Sequence, residues 1–329
     1  MAMALAAFVL TGCPEETETN PPPPDEEPKW EEAFDTSDAG SLSGVWGSGP
    51  DDVFIVGGSD DGGEIYHYDG TSWSPMTLPA GTPLMVWSYG FGPSDVYSVG
   101  LEGAMLHYDG SSWSAIDTGT TEQLWGIFGF SPSDLWIVGG DPFTDDPLIL
   151  HYDGSTFTPH VVEASENLQG AKSLFKVWGI DGTVYAVGQK GLILRFDGSA
   201  WKAMPAGAKA DQDFVSLWGT RADHIVAVGG RGNGRIATFD GQSWTTVAPN
   251  ALGGLNAVHM VEDDVAVIGG ILGFAGRFEV GSGEVVNEAD GLTRVDIHAI
   301  WGDGQGTHWA VGGSFISPHQ GVALKRTAP

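Results

Sequence analysis

The sequence contains a single cysteine, Cys13, among its 329 residues. One cysteine cannot form a disulfide within the chain, and it cannot supply the thiolate cluster of a structural zinc or iron–sulfur site. Redox chemistry that needs two thiols in one chain is therefore excluded.

Basic residues are scarce as well, because 14 Lys and Arg face 43 Asp and Glu, which gives a formal net charge of −29. Nucleic-acid binding depends on Lys and Arg that neutralise phosphates, so this charge predicts no nucleic-acid partner. Anionic membrane surfaces are disfavoured by the same repulsion. Glycine, in contrast, is abundant, with 50 residues. Such a composition favours many short strands joined by tight turns.

The first thirteen residues resemble a bacterial lipoprotein signal peptide. Residues 2–10 form an apolar run that is too short for a transmembrane helix but suits the hydrophobic region of a signal peptide. The run ends in Leu10-Thr11-Gly12-Cys13, which resembles the lipobox and implies lipidation of Cys13. No Lys or Arg precedes the run, so either the start codon lies further upstream or the segment is an ordinary buried strand.

Residues 14–28 follow as an acidic, proline-rich segment without periodic apolar residues. Such a segment cannot bury enough apolar surface to offset its chain entropy, so we expect a disordered tether. Together with the lipidated cysteine, it predicts a protein held at the bacterial cell envelope, on the periplasmic or outer-surface side. Contact with the membrane would be through the lipid anchor only.

Residues 29–329 contain a phrase that recurs seven times. It consists of an aromatic residue with glycine, a strand ending in Val-Gly or Ile-Gly, a strand ending in Tyr-Asp-Gly, and a tryptophan. The first copy has Trp46-Gly47, Val56-Gly57, Tyr68-Asp69-Gly70 and Trp73. The glycines of the Val-Gly and Ile-Gly pairs lie at 57, 100, 139, 188, 229, 269 and 312. The sixth copy of the phrase is the most degenerate.

A unit of about 40 residues with four short strands is typical of a propeller blade. The sequence therefore predicts an all-β, seven-bladed β-propeller of four-stranded blades. The Asp-Gly pairs suit hairpin turns, and the tryptophan of each unit would pack between blades. The seventh copy ends near Leu324 without a tryptophan strand, whereas Trp30 lies in a matching segment at the beginning. We expect the N-terminal strand to complete the last blade and to close the ring.

The repeat resembles the kelch repeat, because five of the seven glycine positions are double glycines followed by Tyr or Phe and then Trp. These pairs are Gly57-Gly58, Gly139-Gly140, Gly229-Gly230, Gly269-Gly270 and Gly312-Gly313. The units also resemble those of uncharacterised bacterial repeat lipoproteins with Trp-Gly, Val-Gly-Gly and Tyr-Asp-Gly-x-x-Trp. Both resemblances imply a propeller, and neither implies one function.

The turns between first and second strands and the Asp-Gly turns share one face of the predicted ring and are alike. The opposite face carries the variable loops, where binding is usually found. We therefore predict a binding face there. Its candidate residues are Asp60, Asp61, Glu102, Phe143, Asp145, Asp146, Lys190, Arg231, Asn233, Phe315 and His319.

Metal and cofactor signals are weak in this sequence. His67, His107 and His151 recur at one repeat position, one to a blade, which favours packing between blades or hydrogen bonding over metal ligation. The pairs Asp60-Asp61 and Asp145-Asp146 could bind Ca²⁺, although solvated loop acids are the simpler interpretation. The loop Gly230–Gly234 joins two strands and is interpreted as a hairpin loop, not as a phosphate site. We predict no resident metal or cofactor.

The functional prediction is a non-catalytic, lipid-anchored propeller that binds an unknown protein or glycan and acts as a monomer. The alternative is a carbohydrate-active hydrolase or lyase, in which two acids on different blades face each other across the channel. No Gly-x-Ser-x-Gly or His-Glu-x-x-His motif is present. The sequence identifies neither the ligand nor the partner.

Overall fold

The computed structural model describes residues 28–143, 146–163, 166–289 and 291–327. In these ranges the chain forms seven antiparallel sheets of four strands each, β1 to β28 in chain order. Three single-turn 3₁₀ helices, Leu101–Gly103, Gln189–Gly191 and Ile271–Gly273, are the only helical elements of these ranges. None of the helices so described has the length or apolar character to cross a membrane. The prediction of a seven-bladed, four-stranded β-propeller is confirmed.

Each blade runs from an inner strand to an outer strand in chain order. Blade 1 holds β2 (Ser41–Gly49), β3 (Asp52–Ser59), β4 (Gly62–Tyr68) and β5 (Trp73–Pro75). Blade 2 holds β6 (Met85–Gly92), β7 (Asp95–Gly100), β8 (Met105–Tyr108) and β9 (Trp113–Ile116). Blade 3 holds β10 (Leu124–Ser131), β11 (Asp134–Gly139), β12 (Leu148–Tyr152) and β13 (Phe157–Pro159). Blade 4 holds β14 (Leu174–Ile180), β15 (Thr183–Gly188), β16 (Ile193–Phe196) and β17 (Trp201–Ala203).

The remaining blades follow the same order until the last one. Blade 5 holds β18 (Phe214–Arg221), β19 (His224–Gly229), β20 (Arg235–Phe239) and β21 (Trp244–Val247). Blade 6 holds β22 (Leu255–Met260), β23 (Val265–Gly270), β24 (Ala275–Glu279) and β25 (Val285–Asn287). Blade 7 holds β26 (Asp296–Gly302), β27 (His308–Ser314), β28 (Gln320–Thr327) and, as its outer strand, β1 (Lys29–Glu32).

The ring closes through the pairing of the N-terminal strand with the C-terminal strand. β1 runs antiparallel to β28, with Trp30 opposite Arg326 and Glu32 opposite Leu324. Trp30 is 4% exposed and packs with apolar residues of blades 6 and 7. The predicted closure, in which the N-terminal strand completes the seventh blade, is confirmed.

A buried ion cluster lies at the junction between blades 6 and 7. The Glu288 carboxylate accepts hydrogen bonds from Arg326 Nε at 2.7 Å and from an Arg277 guanidinium nitrogen at 2.9 Å. The side chain of Glu288 is only 5% exposed, so this carboxylate depends on the two guanidinium groups in place of water. The cluster connects the closing strand β28 to the preceding blade.

The aromatic-glycine pair of each unit has a packing reason. The aromatic rings form a series around the inner strands, with Tyr89 and Phe128 of neighbouring blades 4.9 Å apart between ring centroids. The ring of one blade lies over the glycine of the next, since a Cβ at Gly90 would come within 2.6 Å of the Trp46 ring. Glycine is thus required for the close approach of adjacent inner strands.

The glycine at the end of each second strand lies against the beginning of the inner strand. A Cβ at Gly139 would collide with the backbone carbonyl of Gln123, and the equivalent glycines show the same restriction. In the sixth blade this position belongs to Gly270, which pairs with Leu255, whereas Gly269 pairs with Ala257. The prediction of Gly269 as the sixth repeat glycine is therefore wrong by one residue, because the Ile-Gly-Gly sequence offers two adjacent choices.

The outer-strand tryptophans pack against the preceding blade, as predicted. Trp113 of blade 2 lies 6.2 Å from Phe54 of blade 1, measured between ring centroids, and Trp201 of blade 4 lies 5.5 Å from Trp136 of blade 3. The Asp-Gly turns before these strands contain positive-φ glycines, such as Gly110 at φ 90°. Each tryptophan strand therefore contributes to the interface between blades, where buried aromatic area stabilises the ring.

Candidate functional site

A β-bulge recurs at the beginning of every inner strand. In each blade the pairing of the inner strand with the second strand skips one residue, and the skipped side chain lines the channel mouth. A bulge commonly redirects a side chain in this way. The seven skipped residues are Ser43, Val86, Trp125, Phe175, Val215, Asn256 and His298.

These residues line a central cavity of about 760 Å³ on the face that carries the variable loops. Its aromatic lining comes from the inner strands of three blades and from two loops. Phe143 and Phe315 belong to the rim and are 88% and 51% exposed. The five aromatic residues of this lining are Trp87, Trp125, Phe143, Phe175 and Phe315. The volume and the lining are those of a ligand-binding cavity.

Two large side chains project where the other blades have small ones. The position after the bulge holds Gly, Ser or Ala in five blades, but Trp87 in blade 2 and Lys176 in blade 4. The Lys176 Nζ lies 2.8 Å from the centroid of a Trp87 ring, in a cation–π contact. Gly126 holds this position on the intervening blade, where a Cβ would lie 3.1 Å from Lys176 Cα. The pair therefore fills the base of the central cavity.

Lys176 is buried without a counter-charge. It is 8% exposed, and no carboxylate of the described residues lies within ion-pair distance of its Nζ. Burial lowers the pKa of the Lys176 amine well below its usual value, because the charged form loses hydration. Ser43, which also lines the cavity, is 6% exposed and its hydroxyl has no hydrogen-bond partner in the described part of the chain. The cavity thus presents two buried polar groups without a hydrogen-bond partner among the described residues.

The two carboxylates that line the central cavity are both engaged with the protein. Asp213 accepts the Lys190 backbone N–H at 2.9 Å and lies 2.7 Å from the guanidinium of Arg231. Asp296 accepts the Leu272 backbone N–H, also at 2.9 Å. Lys190 and Leu272 have left-handed backbone in their 3₁₀ turns, and each carboxylate satisfies the N–H of such a turn. The two acids therefore stabilise loop conformation.

A second depression, the acidic cleft, adjoins the central cavity. It has a volume of about 680 Å³ and shares Val86, Trp125 and Phe315 with the central cavity. Its acidic lining consists of Asp60, Asp61 and Glu102. His319 Nε2 lies 3.2 Å from Asp60 Oδ2, and this contact raises the pKa of the imidazole. The two depressions adjoin at these shared residues and form one continuous concave surface, with aromatic residues in the central cavity and acidic residues in the cleft.

The structure distributes the predicted site residues over three groups. Phe143, Arg231 and Phe315 line the central cavity. The acidic cleft holds Asp60, Asp61, Glu102, His319 and, again, Phe315. Three others line neither depression: Lys190, whose backbone N–H binds Asp213, and the exposed Asn233 and Asp146. Asp145 lies outside the described residues, as do Cys13 and the predicted signal peptide and tether up to residue 27.

Sequence reasoning missed the inner-strand residues, including Trp87, Trp125, Phe175 and Lys176. A signal was available, because the bulged position lies three residues before the aromatic of each aromatic-glycine pair. That position varies from blade to blade, whereas the residue before it is always large and apolar. The predicted site residues came from the loops only, so these inner-strand residues were not among them.

The recurrent histidines make hydrogen bonds within their own blades. His67, His107 and His151 each place Nε2 at 2.7 to 2.8 Å from an aspartate at the start of the second strand. Their rings also pack on an aromatic residue of that same second strand, as His67 does on Phe54 at 4.4 Å between centroids. The hydrogen-bond alternative is confirmed, and the ring contacts are within the blade instead of between blades. Among the described residues, no group of three or more His, Cys, Asp or Glu could hold a metal ion.

No protein-family model matches the chain, and no curated protein matches it in sequence. The fold places it in the class of seven-bladed β-propellers, and solved propellers resemble it closely in shape. "YCF48 bound to D1 peptide" has a TM-score of 0.67 at 15% identity, covering 92% of this chain and 98% of that one.

Two further propellers are similar at still lower identity. The RRP9 WD40 repeats give a TM-score of 0.70 at 10% identity, covering 92% of this chain and 98% of theirs. A catalytically inactive virginiamycin B lyase from Staphylococcus aureus, solved with quinupristin, gives a TM-score of 0.64 at 12% identity. The match covers 92% of this chain and 100% of that one. These likenesses show the fold alone, since propellers of different function share it.

Proposed function

We propose that this propeller is a non-catalytic binding module that takes an extended peptide segment of a partner protein. The continuous surface formed by the central cavity and the acidic cleft carries this proposal. Its extent over two adjoining depressions suits a chain better than a compact metabolite, and its aromatic residues offer contacts typical of binding hot spots. The peptide in the YCF48 complex is consistent with such a mode, although it belongs to that protein.

The state of the acids supports binding over catalysis. A hydrolase or lyase needs carboxylates that are free to move protons at the reacting bond. Asp213 and Asp296, the carboxylates of the central cavity, are instead occupied by backbone N–H groups, and Asp213 also by Arg231. The carboxylates of the central cavity therefore do not support the carbohydrate-active alternative.

Binding can be tested with the full-length chain against a random peptide library and a glycan array. We expect selected peptides to bind, and we expect Phe143→Ala and Phe315→Ala together to weaken binding roughly tenfold or more, because rim aromatics supply much of the contact energy. Phe130→Ala is the matched control. Phe130 is a partly exposed aromatic, 38% exposed, at the other end of its inner strand, and this variant should bind like the wild type.

Three outcomes would overturn the proposal. These are the absence of any selected peptide, equal loss in the Phe130→Ala control, or turnover of a polysaccharide by the wild type. Binding of glycans without peptides would assign the cavity to the other partner class named from the sequence.

Anchoring is part of the same proposal: we place the propeller on the bacterial cell envelope, attached through a lipidated Cys13 and acting as a monomer. The lipobox-like Leu10-Thr11-Gly12-Cys13, which follows an apolar run, supports the lipid anchor. In a bacterial host, the wild type should incorporate radiolabelled palmitate and sediment with membranes. Cys13→Ala should lose both properties. Sedimentation of Cys13→Ala together with the membranes would contradict a lipid anchor.

A further inference from the structure

We propose that Lys176 makes the base of the central cavity a carboxylate-binding site, which receives a carboxylate of the bound peptide. This inference rests on the proposed peptide-binding function and names the group that the peptide must carry. It starts from the observation that Lys176 is a buried lysine in a chain with a large excess of negative charge, yet it has no carboxylate partner among the described residues.

The position of Lys176 has no packing requirement for a long cationic side chain. Five blades have Gly, Ser or Ala at this register, and their inner strands pair in the same way. Burial of an unpaired ammonium is unfavourable, so the protein gains no stability from the charge of a lysine at this position. The pairing of the inner strands therefore does not explain the lysine.

The contact with Trp87 replaces only part of the hydration that the Lys176 ammonium loses on burial. The ring face is 2.8 Å from Nζ and attracts the positive charge, but an aromatic face is not a hydrogen-bond acceptor comparable to a carboxylate. An ammonium has three N–H donors, and no hydrogen bond to a described residue uses them. Lys176 lines the central cavity of about 760 Å³, which is large enough for a peptide end or an acidic side chain.

Ser43 adds a second group suited to the same ligand. Its hydroxyl is buried, lines the central cavity and has no partner in the described residues. A carboxylate has several acceptor sites and can use both an ammonium and a hydroxyl. The cavity carboxylates do not compete, because Asp213 and Asp296 are held by backbone N–H groups.

The carboxylate could be the end of a chain or an acidic side chain, and the experiment separates these sources. Three octapeptide libraries are offered to the full-length protein: neutral residues with amidated ends, the same residues with free carboxylate ends, and amidated peptides that contain Asp or Glu. We expect one carboxylate library to yield ligands that bind the wild type about tenfold or more tightly than their neutral counterparts. The library that does so identifies the source.

Lys176→Met removes the charge and keeps the length of the side chain. It should abolish the preference for carboxylate peptides over neutral peptides. Lys172→Met is the control, because Lys172 is a nearby, more exposed lysine whose Nζ lies 3.6 Å from Asp146. This variant should keep the preference.

The inference alone fails if the wild type binds neutral and carboxylate peptides equally well, or if Lys176→Met keeps the preference. The proposed peptide-binding function survives that result. The inference and the proposed peptide-binding function both fail if no peptide binds at all. Should Lys176→Met not fold, the comparison of the three libraries on the wild type still decides the question.

Discussion

At the scale of single residues, a histidine takes the place of the aromatic residue of the aromatic-glycine pair in the sixth blade, and a second buried histidine, in the seventh blade, packs on it. His259 stands where other blades have Trp, Tyr or Phe, and it packs on Trp218 at 4.5 Å and on His308 at 5.9 Å between ring centroids. Both histidines are at least 95% buried. Burial lowers the pKa of His259 to about 3 and that of His308 to about 4. They are therefore neutral in the folded protein at physiological pH.

From these two histidines we predict that the free energy of unfolding falls on acidification at pH values above those at which carboxylates are protonated. Unfolding raises both pKa values towards 6.5, so the unfolded state binds more protons below that pH and stability falls as the pH drops. From pH 7.5 to pH 5.0 we expect a loss of roughly 1 to 2 kcal/mol for each buried histidine. The free energy of unfolding in urea at the two pH values measures it.

His259→Phe should remove part of that pH dependence, since phenylalanine does not titrate and an aromatic residue fits the position. Trp301→Phe is the control, because it exchanges two aromatic residues that do not titrate at the equivalent position of blade 7, and it should leave the pH dependence unchanged. A wild type equally stable at both pH values would contradict the prediction.

Residue types alone could predict little of the candidate site. Phe143, Arg231 and Phe315 were predicted as part of a variable face, because they lie in loops that differ from one repeat unit to the next. Lys176 and Trp87 were not predicted. They lie in strands that the repeat presents as uniform core, and only the register of the bulge turns them towards the channel.

At the scale of elements, the repeat spacing was sufficient to predict all seven blades. Period, turn residues and the Trp positions each indicated the same strands, and such agreement specifies a fold strongly. The sixth blade shows the limit, since Ile268-Gly269-Gly270 leaves the register open by one residue. The choice between the two glycines is settled by the pairing of Gly270 with Leu255 on the neighbouring strand. The sequence around the two glycines does not specify this pairing.

The four-residue strand β1 is the element on which closure depends. Trp30→Ala should destabilise the protein by about 3 to 5 kcal/mol, because it removes a nearly fully buried aromatic side chain. Glu31→Ala, on the exposed side of the same strand, should change stability by less than about 0.5 kcal/mol. Urea unfolding of both variants gives the comparison, and similar values for the two would show that β1 does not hold the ring closed.

At the scale of the whole molecule, the residues that hold the blades together differ from the residues that line the cavity. Contacts between blades come from repeated aromatics and glycines, so they recur with little change around the axis. The cavity is instead lined by one variable bulged residue per blade, so that seven positions can be exchanged without altering the pairing of the sheets. This arrangement allows one fold to present many different cavities.

The antiparallel pairing of β1 and β28 also determines how the ring responds to mechanical load. Lys29 lies opposite Thr327, so the outward ends of both strands emerge side by side. Tension applied to the two ends of the propeller would break the hydrogen bonds between these strands one after another, in peeling geometry and not in shear. The propeller would thus open at its closing blade under low force, while the other six sheets, which carry no load at that moment, stay intact.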